Sequence, residues 1–210
     1  LLDPHPGADN FFGSNVQYFD ANGNPVFSES GAATTVVLDP LDDFGGVDAG
    51  AVYVYRLSDG ALLSELHGVN NAAASDRVGN EFLNLFAFNG KHLLRSRQWG
   101  NNAGALTVFD PVNGTSGPVD ASTSLVGANA GDGVGSSTFT GLGGGMFAVR
   151  SPSFNAGAGA ITLVTSQADF KGTVSSTKSL VGAASSDDIG NSDFQRLGAN
   201  SLAMLSPNFN

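Results

Sequence analysis

The chain has 210 residues, a net charge of −10 and no cysteine, and only 13% of its residues are charged. The excess of acidic over basic residues argues against a phosphate-binding nucleic-acid surface, which needs clustered lysine and arginine, and against docking on anionic lipid. The absence of cysteine excludes disulfides and thiolate metal sites. No apolar run reaches the roughly 18 residues of a membrane-spanning helix.

The predicted elements along the chain are short strands separated by turns. Asn22-Gly23 indicates a hairpin, and the nearly continuous apolar run 51–55 predicts a strand that is covered on both faces. A strand is expected around 91–96, and another at 106–109, with Asn89-Gly90 as the turn before the first of them. The helix signal is poor throughout, because glycine and asparagine recur too often.

Three landmarks recur at intervals of about 55 residues. The first, Leu-Val-Gly-Ala, lies at 125–128 and 180–183, with a looser copy at 65–68. The second, Asp-x-Val/Ile-Gly, lies at 76–79, 132–135 and 187–190. The third, a strand led by Gly-Ala, lies at 50–55, 104–109 and 159–164. Such self-similarity at a fixed period is the signature of a repeat architecture.

The landmarks divide the chain into repeat units of about 55–60 residues with three or four strands each. The units run approximately over 1–67, 68–126, 127–181 and 182–210, and the last is partial. We therefore expect a single repeat domain, 1–210, that is part of a longer chain. The unit size favours an all-β fold, a β-propeller or propeller-like array of four-stranded antiparallel blades. A pair of β-sandwiches and a β-solenoid are the alternatives.

The repeated residues have structural interpretations. Glycines 79, 135 and 190 suit a backbone with positive φ or a close approach where blades converge. Aspartates 76, 132 and 187 are expected to accept backbone N–H groups of a turn, with a cation site at one end of a propeller as the alternative. Arg95 and Arg150 match each other and could form ion pairs with these aspartates.

No cofactor is expected, but two acidic segments are candidates for a cation, and calcium is the ion they would hold. Asp20, Asn22 and Asn24 have the first spacings of a calcium loop, but no acidic residue closes the pattern, so a plain Asn-Gly hairpin is favoured. A second segment contains four aspartates, for which a solvated loop is favoured over a cation site: Asp39, Asp42, Asp43 and Asp48.

No catalytic constellation stands out, and no catalytic or cofactor-binding residue is assigned. His5, His67 and His92 lack metal-ligand spacing, so we expect the protein not to be an enzyme, with a hydrolase or lyase on a propeller as the remote alternative. One aromatic slot recurs after a repeated Ser-Arg or Ser-Pro pair and predicts packing between sheets, with carbohydrate stacking as the alternative: Trp99, Phe154 and Phe209.

Two resemblances rest on these residues. Phe12-Gly13, residues 20–24, Leu38-Asp39-Pro40 and the strand 50–55 resemble an FG-GAP blade of the integrin-α type. The third and fourth units are similar to tandem repeats of unknown function in very large secreted bacterial surface proteins, including filamentous-haemagglutinin-like exoproteins. The resemblance covers residues 68–210 well and 1–67 loosely, and it implies an extracellular or cell-surface setting in a bacterium.

The expected function is therefore that of a structural or adhesive repeat region, which assembles into a filament or layer by self-association. The alternative is a propeller module that binds a glycan or a protein on a cell surface.

Overall fold

The computed structural model describes residues 1–69, 75–81, 84–88, 90–137, 139–143, 146–192, 194–198 and 201–204. The described chain is all-β, as predicted, and its strands form three larger sheets and one hairpin. No helix in these ranges is long and apolar enough to cross a membrane.

The first sheet contains four antiparallel strands in chain order, with a short strand at each edge. Its central strand carries the apolar run that the sequence predicts to be covered on both faces, and every residue of that run is buried. The strands are β1 (Asn15–Phe19), β2 (Pro25–Val26), β3 (Thr34–Asp39), β4 (Ala51–Arg56) and β5 (Leu62–His67).

The second sheet repeats this meander. Its strands are β6 (Asn84–Phe88), β7 (Lys91–Ser96), β8 (Ala105–Phe109) and β10 (Ser124–Val126). A four-residue turn, α1 (Trp99–Asn102), connects β7 to β8, and the two-residue strand β9 (Gly117–Pro118) leaves this unit to pair in parallel with β5 of the first sheet.

The third sheet has the same strand order. Its strands are β11 (Phe139–Gly143), β12 (Met146–Ser151), β13 (Ala160–Val164) and β15 (Ser179–Val181). Between them lie the turn α2 (Phe154–Gly157), a 3₁₀ turn (Gln167–Phe170) and the short strand β14 (Gly172–Thr173), which pairs in parallel with β10 of the second sheet. The fourth unit is described as one hairpin, β16 (Phe194–Gly198) and β17 (Ser201–Met204).

The two main hydrophobic cores lie between consecutive sheets. Leu38 and Val52 of the first sheet pack with Leu94 and Phe109 of the second. Leu93 and Leu106, on the other face of the second sheet, pack with residues of the third sheet. Because side chains alternate along a strand, a sheet covered on both faces needs the continuous apolar runs that the sequence contains.

Candidate metal centre

The first sheet has an outer face, on the side opposite the second sheet. The N-terminal segment, residues 1–12, covers this face. Val37, Tyr53 and Tyr55 form a small buried cluster on this face, and Phe12 packs against it. The Tyr55 hydroxyl donates a 2.8 Å hydrogen bond to the Leu2 carbonyl. The N-terminal segment is therefore held on the sheet by both apolar and polar contacts.

Three carboxylates from separate parts of the first unit meet beside this cluster. Asp3 belongs to the N-terminal segment, Asp39 ends β3, and Asp42 lies in the loop between β3 and β4. One oxygen of each lies within 4.8 Å of one oxygen of the others, and Asp39 and Asp42 are fully buried. The predicted solvated loop is thus wrong for Asp39 and Asp42, because the N-terminal segment and the loop close over them.

The two oxygens of Asp39 have different surroundings. Oδ1 accepts the backbone N–H of Phe11 at 3.0 Å and that of Leu41 at 3.3 Å. Oδ2 is buried and has no hydrogen-bond partner among the described residues. Buried polar atoms in native proteins are nearly always satisfied by protein, water or ligand. The hydroxyls of Ser96 and Ser151, at the equivalent places in the next two sheets, are also buried without a partner among the described residues, so Asp39 differs from them by its charge.

The other two carboxylates are oriented by hydrogen bonds. Asp42 accepts the Phe44 N–H at 2.8 Å through Oδ1 and the Tyr53 hydroxyl at 2.5 Å through Oδ2. Asp3 accepts the His5 N–H at 2.8 Å, and the Asn10 Nδ2 lies 3.5 Å from its second oxygen. These bonds fix the orientations of the two carboxylates.

The electrostatics of the cluster are unfavourable without a counter-charge. Two carboxylates 4.8 Å apart repel by about 3 kcal/mol at an effective dielectric constant of about 20. Burial, followed by the charges of Asp42 and Asp3, raises the pKa of Asp39 to about 6 against the hydrogen bonds from Phe11 and Leu41. Among the described residues none of the three carboxylates forms an ion pair with a basic side chain.

A histidine and a glutamate border the cluster. His5 Nε2 lies 2.9 Å from Glu65 Oε2, and the imidazole stacks on the Phe44 ring with 4.0 Å between centroids. Burial, followed by the hydrogen bond to Asp42, raises the pKa of Tyr53, which pairs with Glu65 across β4 and β5. His5 thus contacts Asp3 and Tyr53 contacts Asp42, and Glu65 lies beside both of these residues.

The repeat itself contained the signal that sequence reasoning missed. Asp39 pairs with Ala51, and the equivalent pairs in the next two sheets are Ser96 with Ala105 and Ser151 with Ala160. Tyr53 pairs with Glu65, and the equivalent pairs are Thr107 with Ser124 and Thr162 with Ser179. At these positions the second and third units carry serine or threonine, whereas the first unit carries Asp39, Tyr53 and Glu65, which lie in or beside the cluster.

The segment 20–24 is a hairpin turn, as the sequence favoured over a calcium loop. Asp20 Oδ1 accepts the backbone N–H of Asn22 at 2.8 Å and that of Asn24 at 2.9 Å. The Asn24 side chain donates to the second oxygen at 3.0 Å. These hydrogen bonds, the Asn24 side chain first, lower the pKa of Asp20, and they occupy both carboxylate oxygens.

The repeated aspartates make the predicted turn contacts. Asp132 Oδ2 accepts the N–H groups of Ala128 and Asn129 at 2.8 Å, and Oδ1 accepts the Asn155 N–H at 3.0 Å. Asp76 makes the corresponding bonds to Val69 and Gly100. Asp187 accepts the N–H groups of Ala183 and Ala184.

The remaining sequence candidates also have structural roles. Arg95 forms an ion pair with Glu81, not the expected one with a repeated aspartate, and Arg150 donates to the Ser192 carbonyl. Trp99 packs against the core between the first and second sheets, and Phe154 is buried in the next core. These contacts favour packing over carbohydrate stacking for the aromatic slot.

The other predicted site residues are separate from the cluster or lie beyond the described ranges. His67 Nδ1 is 2.8 Å from the Gly68 carbonyl, and His92 is buried with Nε2 2.8 Å from the Gly23 carbonyl. The third member of the aromatic slot, Phe209, and the turn residue Asn89 lie outside the described residues.

Comparison with known proteins identifies the repeat but not an activity. Residues 87–136 and 141–191 each match the sequence model of a family described as a repeat of unknown function (DUF5650). The two matches cover much of the second and third units, so the tandem repeat is confirmed. No curated protein and no solved structure matches the chain.

Proposed function

We propose that this chain is a structural repeat region of an extracellular or cell-surface bacterial protein, and that its sheets associate in series like the blades of a propeller-like array. Support for this architecture comes from the four-stranded antiparallel meander that recurs in each complete unit, and from the cores that lie between consecutive sheets. The extracellular setting rests on the resemblance of the repeats to those of secreted bacterial proteins.

The observation that carries the proposal is an apolar end face on the third sheet. Val108 and Leu125 of the second sheet are 6% and 0% exposed in the core against the third sheet. Their equivalents one unit later, Leu163 and Leu180, are 50% and 58% exposed. Positions that a complete following sheet covers in the second unit are thus open in the third, which is followed by a unit described as one hairpin.

The occupant we propose for this end face is a sheet of a second copy of the chain. The face resembles the side of the second sheet that receives the third, since the strand order is the same and the equivalent positions are apolar. Full burial of an exposed leucine side chain is favourable by roughly 1.5–3 kcal/mol, so each of these half-exposed leucines would contribute about half of that. An interface that does not close on itself would extend into fibres.

Sedimentation velocity over a range of protein concentrations tests the proposal. Wild-type protein is expected to form oligomers as concentration rises, and the double variant Leu163→Ser/Leu180→Ser is expected to remain monomeric, with an unchanged circular dichroism spectrum. Phe27→Ser, at another highly exposed apolar position, is the control and should associate like wild type. A monomeric wild type at every concentration, or equal association of the double variant, would overturn the proposal.

The alternative function, a glycan-binding module, predicts a different result from the proposed self-association. A monomeric wild type that binds glycans saturably, with binding lost in Trp99→Ala, would favour that alternative. The packing of Trp99 against a core supports the structural role.

A further inference from the structure

We propose that Asp3, Asp39 and Asp42 bind a divalent cation, Ca²⁺ in preference to Mg²⁺, and that the bound cation fastens the N-terminal segment to the first sheet. This site is separate from the end face on the third sheet, and the proposal does not depend on self-association.

The first support is the buried oxygen without a partner. Asp39 is 0% exposed, and its Oδ2 accepts no hydrogen bond from the described residues. Its other oxygen is held by two backbone N–H groups, which fix the carboxylate in place. A cation beside Oδ2 would satisfy this atom and compensate the charges of Asp3 and Asp42, which lie too close to remain unpaired without cost.

The second support is the chemistry of the ligand set. All three groups offer hard oxygen ligands, which suit Ca²⁺ and Mg²⁺ and not the softer metals. The ligand oxygens lie within 4.8 Å of one another, close enough for one cation to bind all three. Ca²⁺ is preferred because it accepts several carboxylate ligands in flexible geometry, whereas Mg²⁺ keeps several waters and takes one or two carboxylates. Asn10 approaches the cluster through its amide nitrogen, which lies 3.5 Å from Asp3 Oδ2 and donates to the His5 carbonyl.

The third support is that the repeat fold does not need a carboxylate at this place. Ser96 and Ser151 occupy the slot of Asp39 in the next two sheets, at the same register against the neighbouring strand. A buried carboxylate is costly unless it is paired. Its presence in the first unit alone therefore indicates a role that the later units lack.

A cation at this place would join three parts of the chain that are separate in sequence. Asp3 lies in the N-terminal segment, Asp39 at the end of β3 and Asp42 in the loop before β4. Occupancy would hold the segment against the sheet, and removal of the cation would leave it attached through Tyr55 and Phe12. We therefore expect the segment to be protected from proteolysis by Ca²⁺.

The test is a titration of the chelator-treated protein with Ca²⁺ by calorimetry, and with Tb³⁺ by luminescence excited through tyrosine. Tyr53 donates its hydroxyl hydrogen to Asp42, so a lanthanide at the proposed place would be sensitised by a ring in direct contact with the site. We expect one strong site, at least tenfold weaker binding of Mg²⁺, and slower proteolytic loss of the N-terminal segment with Ca²⁺.

The variants distinguish this cluster from other acidic residues. Asp39→Asn preserves the shape of the side chain and should lower Ca²⁺ affinity at least tenfold. Asp3→Asn should lower the affinity by as much, and because Asp3 lies in the partly exposed N-terminal segment, this substitution does not alter a buried residue of the sheet. Asp43→Asn in the same loop and Asp20→Asn in the hairpin are matched controls, and both should bind Ca²⁺ like wild type.

Three results would overturn the proposal. They are no Ca²⁺ binding by wild type at millimolar concentration, wild-type affinity in both Asp39→Asn and Asp3→Asn, and loss of the site in Asp20→Asn alone. If Asp39→Asn does not fold, Asp3→Asn decides between the outcomes.

Discussion

Glycine at the start of the third strand of each sheet is required by a contact between units. Gly50, Gly104 and Gly159 have φ of +74°, +77° and +77°. A Cβ placed on them would lie 2.4, 2.2 and 2.1 Å from the carbonyl oxygens of the equivalent residues of the following loop, which are Val78, Val134 and Ile189. No side chain fits at these distances, so the repeated Gly-Ala pair reflects close packing of backbone on backbone.

Gly104→Ala is expected to lower the free energy of unfolding by more than about 3 kcal/mol, because a left-handed φ costs alanine about 1–2 kcal/mol and the clash with Val134 adds to it. Gly131→Ala is the control, since Gly131 has φ +82° and open space around its Cα. It should lose only the conformational part. Urea denaturation of the two variants measures the difference, and equal losses would show that the contact with Val134 does not matter.

For single residues, the roles that could be predicted from the sequence were those of residues that recur in each repeat unit. Gly79, Gly135 and Gly190 have φ of +89°, +78° and +87°, and each lies against the carbonyl of an equivalent alanine, as the repeated motif indicated. Asp3 and Asn10 have no equivalents in the other repeat units, and no periodicity connects them to Asp39. Their meeting depends on how the N-terminal segment folds over the sheet, which spacing alone does not specify.

At the scale of the elements, the loop between two sheets links one unit to the next through hydrogen bonds. Asp132 lies in the loop after β10, and its carboxylate binds N–H groups of that loop and of the turn α2 beyond the next hairpin. The carboxylate is 2% exposed. One side chain thus satisfies three backbone donors and holds two successive sheets in a fixed relation.

Asp132→Asn is expected to lower the free energy of unfolding by about 2–4 kcal/mol. The amide preserves the volume but presents N–H hydrogens where an acceptor is required, which leaves at least one buried donor unsatisfied. Asp9→Asn, at an exposed position, should change stability by less than about 0.5 kcal/mol. A loss below 1 kcal/mol for Asp132→Asn in urea denaturation would contradict this role.

The strands expected at 51–55, 91–96 and 106–109 are present as β4, β7 and β8, but the short strands that join units were not predicted. β7 and β8 follow β-branched and apolar runs at the expected places. β9 and β14 have only two residues each, Gly117-Pro118 and Gly172-Thr173, and carry no periodic pattern. Their parallel pairing with the preceding sheet is a consequence of tertiary packing.

For the whole molecule, the second sheet is shared by both cores. Leu94 and Phe109 belong to the core with the first sheet, whereas Leu93 and Leu106 belong to the core with the third. The sequence predicted this double coverage from the continuous apolar runs. The arrangement implies that the two cores cannot unfold independently, because loss of either one exposes a face of the same sheet.

Phe170→Ala tests this coupling, because Phe170 is fully buried in the second core. The substitution is expected to cost about 3–5 kcal/mol. Trp99, the single tryptophan of the chain, packs against the first core, so its fluorescence reports on a region that the substitution does not touch. We expect the urea midpoints from tryptophan fluorescence and from far-ultraviolet circular dichroism to fall together, and those of the exposed control Phe27→Ala to stay at the wild-type value. An unchanged fluorescence midpoint in Phe170→Ala, with a second transition in circular dichroism, would show that each pair of sheets unfolds as a separate body.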